Sequence, residues 1–178
     1  MKQWFVLSAI GRDRPGLVAE LARLVFDCDA NLEDSRMTIL GSDFAAVLLG
    51  SCTSSEASDS LAVGAKRLER DHGLTILIRQ LDEGPRASIP AADHSLHRVR
   101  AAGEDKAGIV AGVCGVLAEH SANIAELTSR SAPGPGGSPH YELEIVVEVP
   151  SRASPDALRD ALEAEGDRLV VDVSLEPV

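Results

Sequence analysis

The stretch GRDRPGL at residues 11–17 decides the fold, because the chain contains a second version of it. Residues 103–109 read GEDKAGI, so two glycines and an aspartate recur at an offset of 92 residues. Asn31, followed by Leu32, has its counterpart at the same offset in Asn123, followed by Ile124. The repetition predicts one small fold written twice, as expected for 178 residues, a length that suits two small domains.

The pattern of apolar residues around the first copy predicts a βαββαβ unit. A helix is indicated where Leu17, Leu21, Leu24, Val25 and Cys28 recur at helical spacing. Asp13 or Arg14 is placed to cap this helix, and Pro15 fits its first turn. Gly73 is expected to end the second helix. The remaining predicted elements are strands at 4–10, 31–40, 44–51 and 74–81 and a helix at 58–72.

The second copy predicts the same order of elements. Strands are expected at 96–102, 125–131, 140–149 and 169–175, and helices at 108–120 and 155–165. Residues 132–139, rich in glycine and proline, are expected to form a mobile loop. The fold class is therefore α+β, with two ferredoxin-like units, each a four-stranded antiparallel sheet with two helices on one face. The predicted domains are 1–81 and 96–178, joined by a polar linker at 82–95.

Composition limits the function. The formal net charge is -11, which disfavours direct nucleic-acid binding because phosphate contacts dominate that affinity. The apolar runs are too short for a membrane span or a signal peptide, so a cytoplasmic protein is expected. Three cysteines without close spacing predict neither a disulfide framework nor a zinc site. No set of residues predicts a catalytic site, a metal site or a bound cofactor.

The repeated loop has the chemistry to hold a small zwitterion. A strand that turns into a helix leaves main-chain N–H groups that attract a carboxylate, and Gly16 and Gly108 permit its close approach. Asp13 and Asp105 could accept hydrogen bonds from an ammonium group. The asparagines of the repeat offer both a donor and an acceptor. The alternative is that all of these residues serve the fold alone.

The pattern Gly-x-Asp-Arg-Pro-Gly-Leu, a helix and then Asn-Leu resembles the ACT domain, a regulatory module that binds amino acids. Two units filling most of the chain resemble the glycine cleavage system transcriptional repressor family. The resemblance implies that units pair and that the ligand sits at their interface. It implies glycine sensing and contact with a protein partner such as a DNA-binding transcriptional activator. The implied ligand-binding residues are Asp13, Arg14, Gly16, Leu17 and Asn31 for one site, and Asp105, Gly108, Ile109 and Asn123 for the other.

The second copy departs from this pattern, and other functions stay open. Lys106 and Ala107 replace Arg14 and Pro15, so a purely structural second copy is an alternative. The main alternative for the whole chain is a ligand-independent protein-interaction module with a vestigial pocket. A homodimer is a further expectation, because edge strands need cover.

Overall fold

The computed structural model describes residues 2–84, 93–134 and 137–178. It divides into two compact units, 1–86 and 87–178. Both have the predicted order βαββαβ. The first contains β1 (Gln3–Arg12), α1 (Leu17–Asp27), β2 (Asn31–Leu40), β3 (Asp43–Cys52), α2 (Ser55–His72) and β4 (Thr75–Leu81). The second contains β5 (His94–Glu104), α3 (Ile109–Glu119), β6 (Asn123–Pro133), β7 (Pro139–Pro150), α4 (Pro155–Leu169) and β8 (Val171–Pro177).

The first unit has a four-stranded antiparallel sheet with strand order β2-β3-β1-β4. Side chains alternate along each strand, so one face of the sheet packs on the two helices and the other faces outward. Phe5, Leu7 and Ala9 of β1 are fully buried on the helix side. They pack in one apolar core with Leu21 of α1 and Leu61 of α2.

The second unit repeats this arrangement with strand order β6-β7-β5-β8. Val99, Ile145 and Val147 of its sheet are fully buried, and they share a core with Val113 of α3 and Leu158 of α4. The predicted fold class, two ferredoxin-like units with both helices of each unit on one sheet face, is thus confirmed. No helix in the described parts of the chain combines the length and apolar character that a membrane span requires.

Both outer hairpins contain an irregularity at the same place. The register of β2 against β3 shifts between Leu32 and Asp34, and that of β6 against β7 shifts between Ile124 and Glu126. Such a bulge inserts one extra residue, bends the strand and increases its twist. β2 and β6 are edge strands in their own sheets, and the bulge makes each a poorer template for indiscriminate pairing.

The predicted cap of the first helix was wrong. α1 begins at Leu17, and the residue before it is Gly16, which has φ 97 and makes no side-chain cap. Asp13, Arg14 and Pro15 therefore all precede the helix. A positive φ of this size is accessible to glycine and costly for other residues, so a left-handed glycine, and not a capping side chain, starts the helix.

Several element boundaries also differ from the sequence predictions. α2 begins at Ser55 because the hydroxyl of Ser54 accepts a hydrogen bond from the N–H of Ala57. α4 extends to Leu169, which we had assigned to the last strand. β5 begins at His94, inside the segment assigned to the linker. The rest of that linker includes residues 85–92, which lie outside the described residues, as do residues 135–136 of the predicted mobile loop. β6 and β7 extend into this loop as far as Pro133 and Pro139.

Candidate functional site

Each repeated loop presents uncapped main-chain donors at the start of a helix. Gly16 and Gly108 precede α1 and α3 with φ 97 and 101, and neither helix receives a side-chain cap. The first turns close through Glu20 N–H to Gly16 O at 2.9 Å and Gly112 N–H to Gly108 O at 2.8 Å. The N–H groups before these residues have no intrahelical partner, and they carry partial positive charge.

The aspartate of the repeat has a different environment in each unit. The main-chain N–H of Asp13 donates to Ser42 O, and that of Asp105 donates to Pro139 O, so both loops are tied to the turn of the neighbouring hairpin. The carboxylate of Asp105 accepts a hydrogen bond of 2.6 Å from the hydroxyl of Ser131. Ile39 occupies the equivalent position in the first unit. Within the described residues, the Asp13 carboxylate has no hydrogen-bond or ion-pair partner.

Arg14 is already paired within its own unit. Its guanidinium donates to both carboxylate oxygens of Glu20, at 3.0 and 2.6 Å. The hydrogen bond from Arg14 is the main reason that the pKa of Glu20 lies below its ordinary value, and it also raises the pKa of Arg14. His72, at the end of α2, lies 3.3 Å from the same carboxylate. Glu20 and His72 are neighbours of the loop that the sequence pattern did not reveal.

A shallow depression of about 430 Å³ lies beside the first loop. Asp13, Arg14 and Gly16 form its polar side. Met37 of β2 and Phe44 of β3 contribute to its apolar side. Leu17 borders it, although its side chain is 2 % exposed and belongs mainly to the core, as does that of Ile109 in the second unit. The structure thus brings together four of the five residues predicted for the first site.

Asn31 lies at the other end of the sheet, in a separate cluster. It begins β2 opposite Ser51, and the hydroxyl of Ser51 donates to Glu33 at 2.6 Å. Lys2 pairs with the same carboxylate at 2.8 Å. Hydrogen bonds from Lys2, Ser51 and Asn31, in that order of size, lower the pKa of Glu33 to about 2. Glu33 is the bulged residue of β2, a position that the sequence pattern did not reveal.

A single small ligand cannot contact both Asp13 and Asn31 of one unit. Asn31 is level with Trp4 on β1, whereas the loop follows Arg12, eight residues further along the same strand. At roughly 3.4 Å per residue, this spacing corresponds to about 27 Å. The residues predicted for the first site therefore fall into two groups within the unit, one at each end of the sheet.

The residues predicted for the second site are also divided between the two ends of their sheet, and their side chains have different partners. Lys106 pairs with Glu104 at 3.1 Å beside the loop. At the far end, the side-chain amide of Asn123 donates to Glu148 at 3.1 Å. Where Glu20 lies in the first unit, the second has Gly112, and a Cβ there would collide with Glu165 of α4. The second unit thus has no carboxylate at the position from which Glu20 engages Arg14.

The described residues contain no group of three or more His, Cys, Asp or Glu side chains arranged to hold a metal ion. Cys28 and Cys114 are partly buried, and burial raises the pKa of both thiols. A raised pKa disfavours the reactive thiolate at neutral pH.

Comparison with known proteins defines the class to which this fold and loop belong. Models of the ACT domain match residues 3–78 and 97–167, so the chain consists of two ACT domains in tandem. It is 31% identical to the glycine cleavage system transcriptional repressor of Escherichia coli (strain K12), over 97% of this chain and 93% of the relative. The protein of that name from Shigella flexneri matches equally. The chain belongs to the glycine cleavage system transcriptional repressor family.

A crystal structure supports the same architecture over the full length. An unknown protein from Galdieria sulphuraria has 30% sequence identity and a TM-score of 0.79, and the match covers 100% of this chain and 99% of that one. A single-domain relative, the UPF0237 protein MK1213 of Methanopyrus kandleri, is 30% identical over 43% of this chain and 87% of its own length. The domain thus occurs both singly and in tandem.

Proposed function

We propose that this protein is an amino-acid-sensing regulator, and not an enzyme, that responds to glycine or a similarly small amino acid. Its first unit would bind the ligand, and the protein would act on transcription by contact with a DNA-binding regulator. The observation that carries the proposal is the uncapped start of α1 beside the unpaired carboxylate of Asp13. Main-chain donors and a fixed acceptor at one loop match the two charges of a zwitterion.

The shape of the loop supports a small ligand. The depression beside Asp13 is open and shallow, and Arg14, which could have bound a second ligand carboxylate, is engaged by Glu20. A free amino acid with a short side chain uses the main-chain donors and the aspartate without needing a further charged partner. A dicarboxylic amino acid would leave its second carboxylate unpaired.

The ligand's contact with asparagine requires another ACT unit. Asp13 and Asn31 of one unit lie at opposite ends of the sheet, so a ligand held by Asp13 would not reach Asn31 of the same unit. A contact with asparagine would need the pairing of units that the family resemblance implies. Ligand binding would then stabilise one particular pairing of units, and the partner regulator would recognise that pairing.

The indirect route to DNA is supported by charge. The chain has a formal net charge of -11, which repels nucleic acid. A protein partner with a basic DNA-binding surface would be attracted by the same charge. The relatives from Escherichia coli and Shigella flexneri carry the name of a transcriptional repressor, which supports a regulatory role. A regulator of this kind would act in the cytoplasm.

The second unit favours a different role. Its Asp105 carboxylate is bonded to Ser131, and Lys106 is paired with Glu104, so both charged groups of its loop have partners. These contacts favour a structural or protein-contacting unit with a vestigial pocket. The two proposals are compatible within one chain, since each concerns a different unit.

Calorimetry on the purified full chain tests the sensing function. We expect heat with glycine or serine and none with acetate or methylamine, each of which carries only one of the two charges. Ligand at about 100 times its Kd should stabilise the fold by ~2.7 kcal/mol. Asp13→Asn should abolish binding, whereas the matched variant Asp105→Asn should retain it. The absence of both heat and a thermal shift with every common amino acid would refute the proposal.

A further inference from the structure

The outward face of the first sheet is unusually apolar. We call it the open face; its central residues are Val6, Ser8 and Ile10 of β1 and Ala45, Val47 and Leu49 of β3, with Leu77 on the edge strand β4. Their position follows from alternation, since Phe5, Leu7 and Ala9 point to the helices. Ile10, Val47 and Leu77 are 55%, 50% and 67% exposed. A contiguous patch of this kind marks an interaction surface in a soluble protein.

The equivalent face of the second sheet shows that the fold does not require an apolar surface there. It is covered by ion pairs between strands. Arg100 pairs with Glu144 at 3.0 Å and with Glu176 at 3.3 Å, and Arg130 pairs with Glu142. The outward face of the second sheet is therefore charged and well solvated. In the first face, Ser8, Val47 and Ala45 occupy the positions that Arg100, Glu144 and Glu142 hold in the second.

We propose that two copies of the protein associate through the open face of the first unit, sheet against sheet. The two-fold axis would run parallel to the strands, between β1 and β3. Face-to-face packing of two sheets is a standard arrangement that buries the side chains of both inner faces. This proposal rests on the open face alone and is independent of ligand binding at the Asp13 loop.

The side chains of the open face are complementary to themselves under this symmetry. The axis places each β1 residue over the β3 residue of the other copy in the same cross-strand row. Ile10 shares a row with Ala45, and Ser8 shares a row with Val47, so a large side chain meets a small one in both rows. A two-fold interface requires this kind of self-complementarity.

Two of the three charged residues at the margins, Arg79 and Asp34, are complementary as well; the third, Arg36 of β2, shares a row with Leu77. Arg79 on β4 and Asp34 on β2 lie at opposite ends of the row that contains Val6 and Leu49. The same axis brings Arg79 of each copy over Asp34 of the other, which forms two equivalent ion pairs. Neither side chain has an ion-pair partner among the residues that the structure describes. These pairs favour a second copy of this chain as the partner, because an unrelated apolar surface would offer no matching charges.

The size of the face predicts a weak dimer. The four strands lie about 4.8 Å apart, and the open face extends over about 20 Å along them. These dimensions give a planar footprint of roughly 400 Å². A standard stable interface buries about 800 Å² per partner. We therefore expect an equilibrium between monomer and dimer that responds to protein concentration in the micromolar range or above.

Sedimentation velocity of the full chain over a concentration series tests the interface. Val47→Lys should weaken dimerisation at least tenfold, because it buries a charge at the centre. The matched control is Val63→Lys on α2, where valine is 72% exposed on the helix side, and it should leave dimerisation unchanged. A monomer at every concentration would overturn the proposal, as would a dimer that Val47→Lys does not affect.

A charge exchange gives a second test that does not depend on the folding of Val47→Lys. Asp34→Arg and Arg79→Asp should each weaken the dimer, since each places like charges together across the axis. The double variant should restore the original dimerisation constant. Failure of the double variant to recover, while circular dichroism reports a folded protein, would contradict the proposed symmetry. Asp13→Asn should not alter the dimer, so the ligand site and this interface can fail separately.

Discussion

The guanidinium of Arg14 donates two hydrogen bonds to the carboxylate of Glu20, at 3.0 and 2.6 Å. This bidentate geometry is the strong form of an Arg–carboxylate pair. The guanidinium of Arg14 is therefore not free to bind a ligand. The loop instead offers neutral main-chain donors and the negative charge of Asp13. Arg14 consequently shapes the loop more than it attracts a ligand.

Arg14→Ala should therefore leave affinity for a small amino acid within about threefold of the parent, which is less than 1 kcal/mol. It should lower the melting temperature slightly, because the loop loses its tether to α1. Calorimetry and a thermal melt measure the two effects on one sample. A loss of affinity as large as that of Asp13→Asn would mean that Arg14 leaves Glu20 and binds the ligand.

Gly16→Ala should destabilise the protein, because residue 16 has φ 97. A Cβ there has open space, with its nearest neighbours 3.9 Å away, so the cost is one of backbone conformation. A left-handed residue other than glycine costs about 1–2 kcal/mol. Chemical denaturation of the full chain measures the change in the free energy of unfolding.

The matched control for that change is Gly115→Ala. Gly115 lies within α3, where an added Cβ meets nothing within 4 Å and φ is helical. Alanine should stabilise this position by about 0.5–1 kcal/mol. Equal effects of the two substitutions would contradict the special role of Gly16.

Glu33→Gln should reduce stability at neutral pH and have less effect in acid. The pKa of Glu33 is about 2 in the folded protein, below its ordinary value of 4.5. A lowered carboxylate pKa contributes stability above pH 4.5, and this contribution is lost as the pH falls from 4.5 towards 2. The difference in melting temperature between parent and variant should narrow in that window.

Glu163→Gln provides the reference for this pH series. Glu163 is exposed on α4 and has no hydrogen bond or ion pair in the described segments. Its variant should track the parent at every pH. If the difference in melting temperature between parent and Glu33→Gln stays constant through the acid range, the charge of Glu33 does not stabilise its contacts with Lys2 and Ser51.

Val170→Gly should stabilise the second unit. Val170 ends α4 with φ 61 and ψ 46, a left-handed conformation that is strained for a β-branched residue. Its side chain is 66% exposed, so little apolar burial is lost. After the entropy cost of glycine, a gain of about 0.5–1 kcal/mol is expected. Val63→Gly, at an exposed position inside α2, should instead be destabilising.

The sequence predicted the order of elements because local signals agreed with the global fold. Leu17, Leu21 and Val25 of the predicted apolar stripe are all buried in α1. Gly73 ends α2 in a left-handed conformation, as expected. Where that signal is missing, the prediction failed: Val170 takes the same conformation in the second unit, and the end of α4 was therefore placed too early.

The candidate site was predictable only in part. The repeat identified the loop residues, because identical spacing in two copies is visible without a structure. It could not reveal that Glu20 engages Arg14, since this contact depends on how the loop meets the helix. Nor could it place Asn31 at the far end of the sheet. That distance is a property of strand length and register, which sequence spacing does not encode.

The left-handed glycine before each first helix has a consequence for how the two halves could diverge. The reversal of the chain depends on the backbone of Gly16 or Gly108, and not on the side chains that precede it. After duplication, a gene could therefore change the charge of the preceding residues in one half without losing the turn. Arg14 and Pro15 in one half and Lys106 and Ala107 in the other precede the same left-handed turn, so one backbone geometry accepts two different sets of side chains.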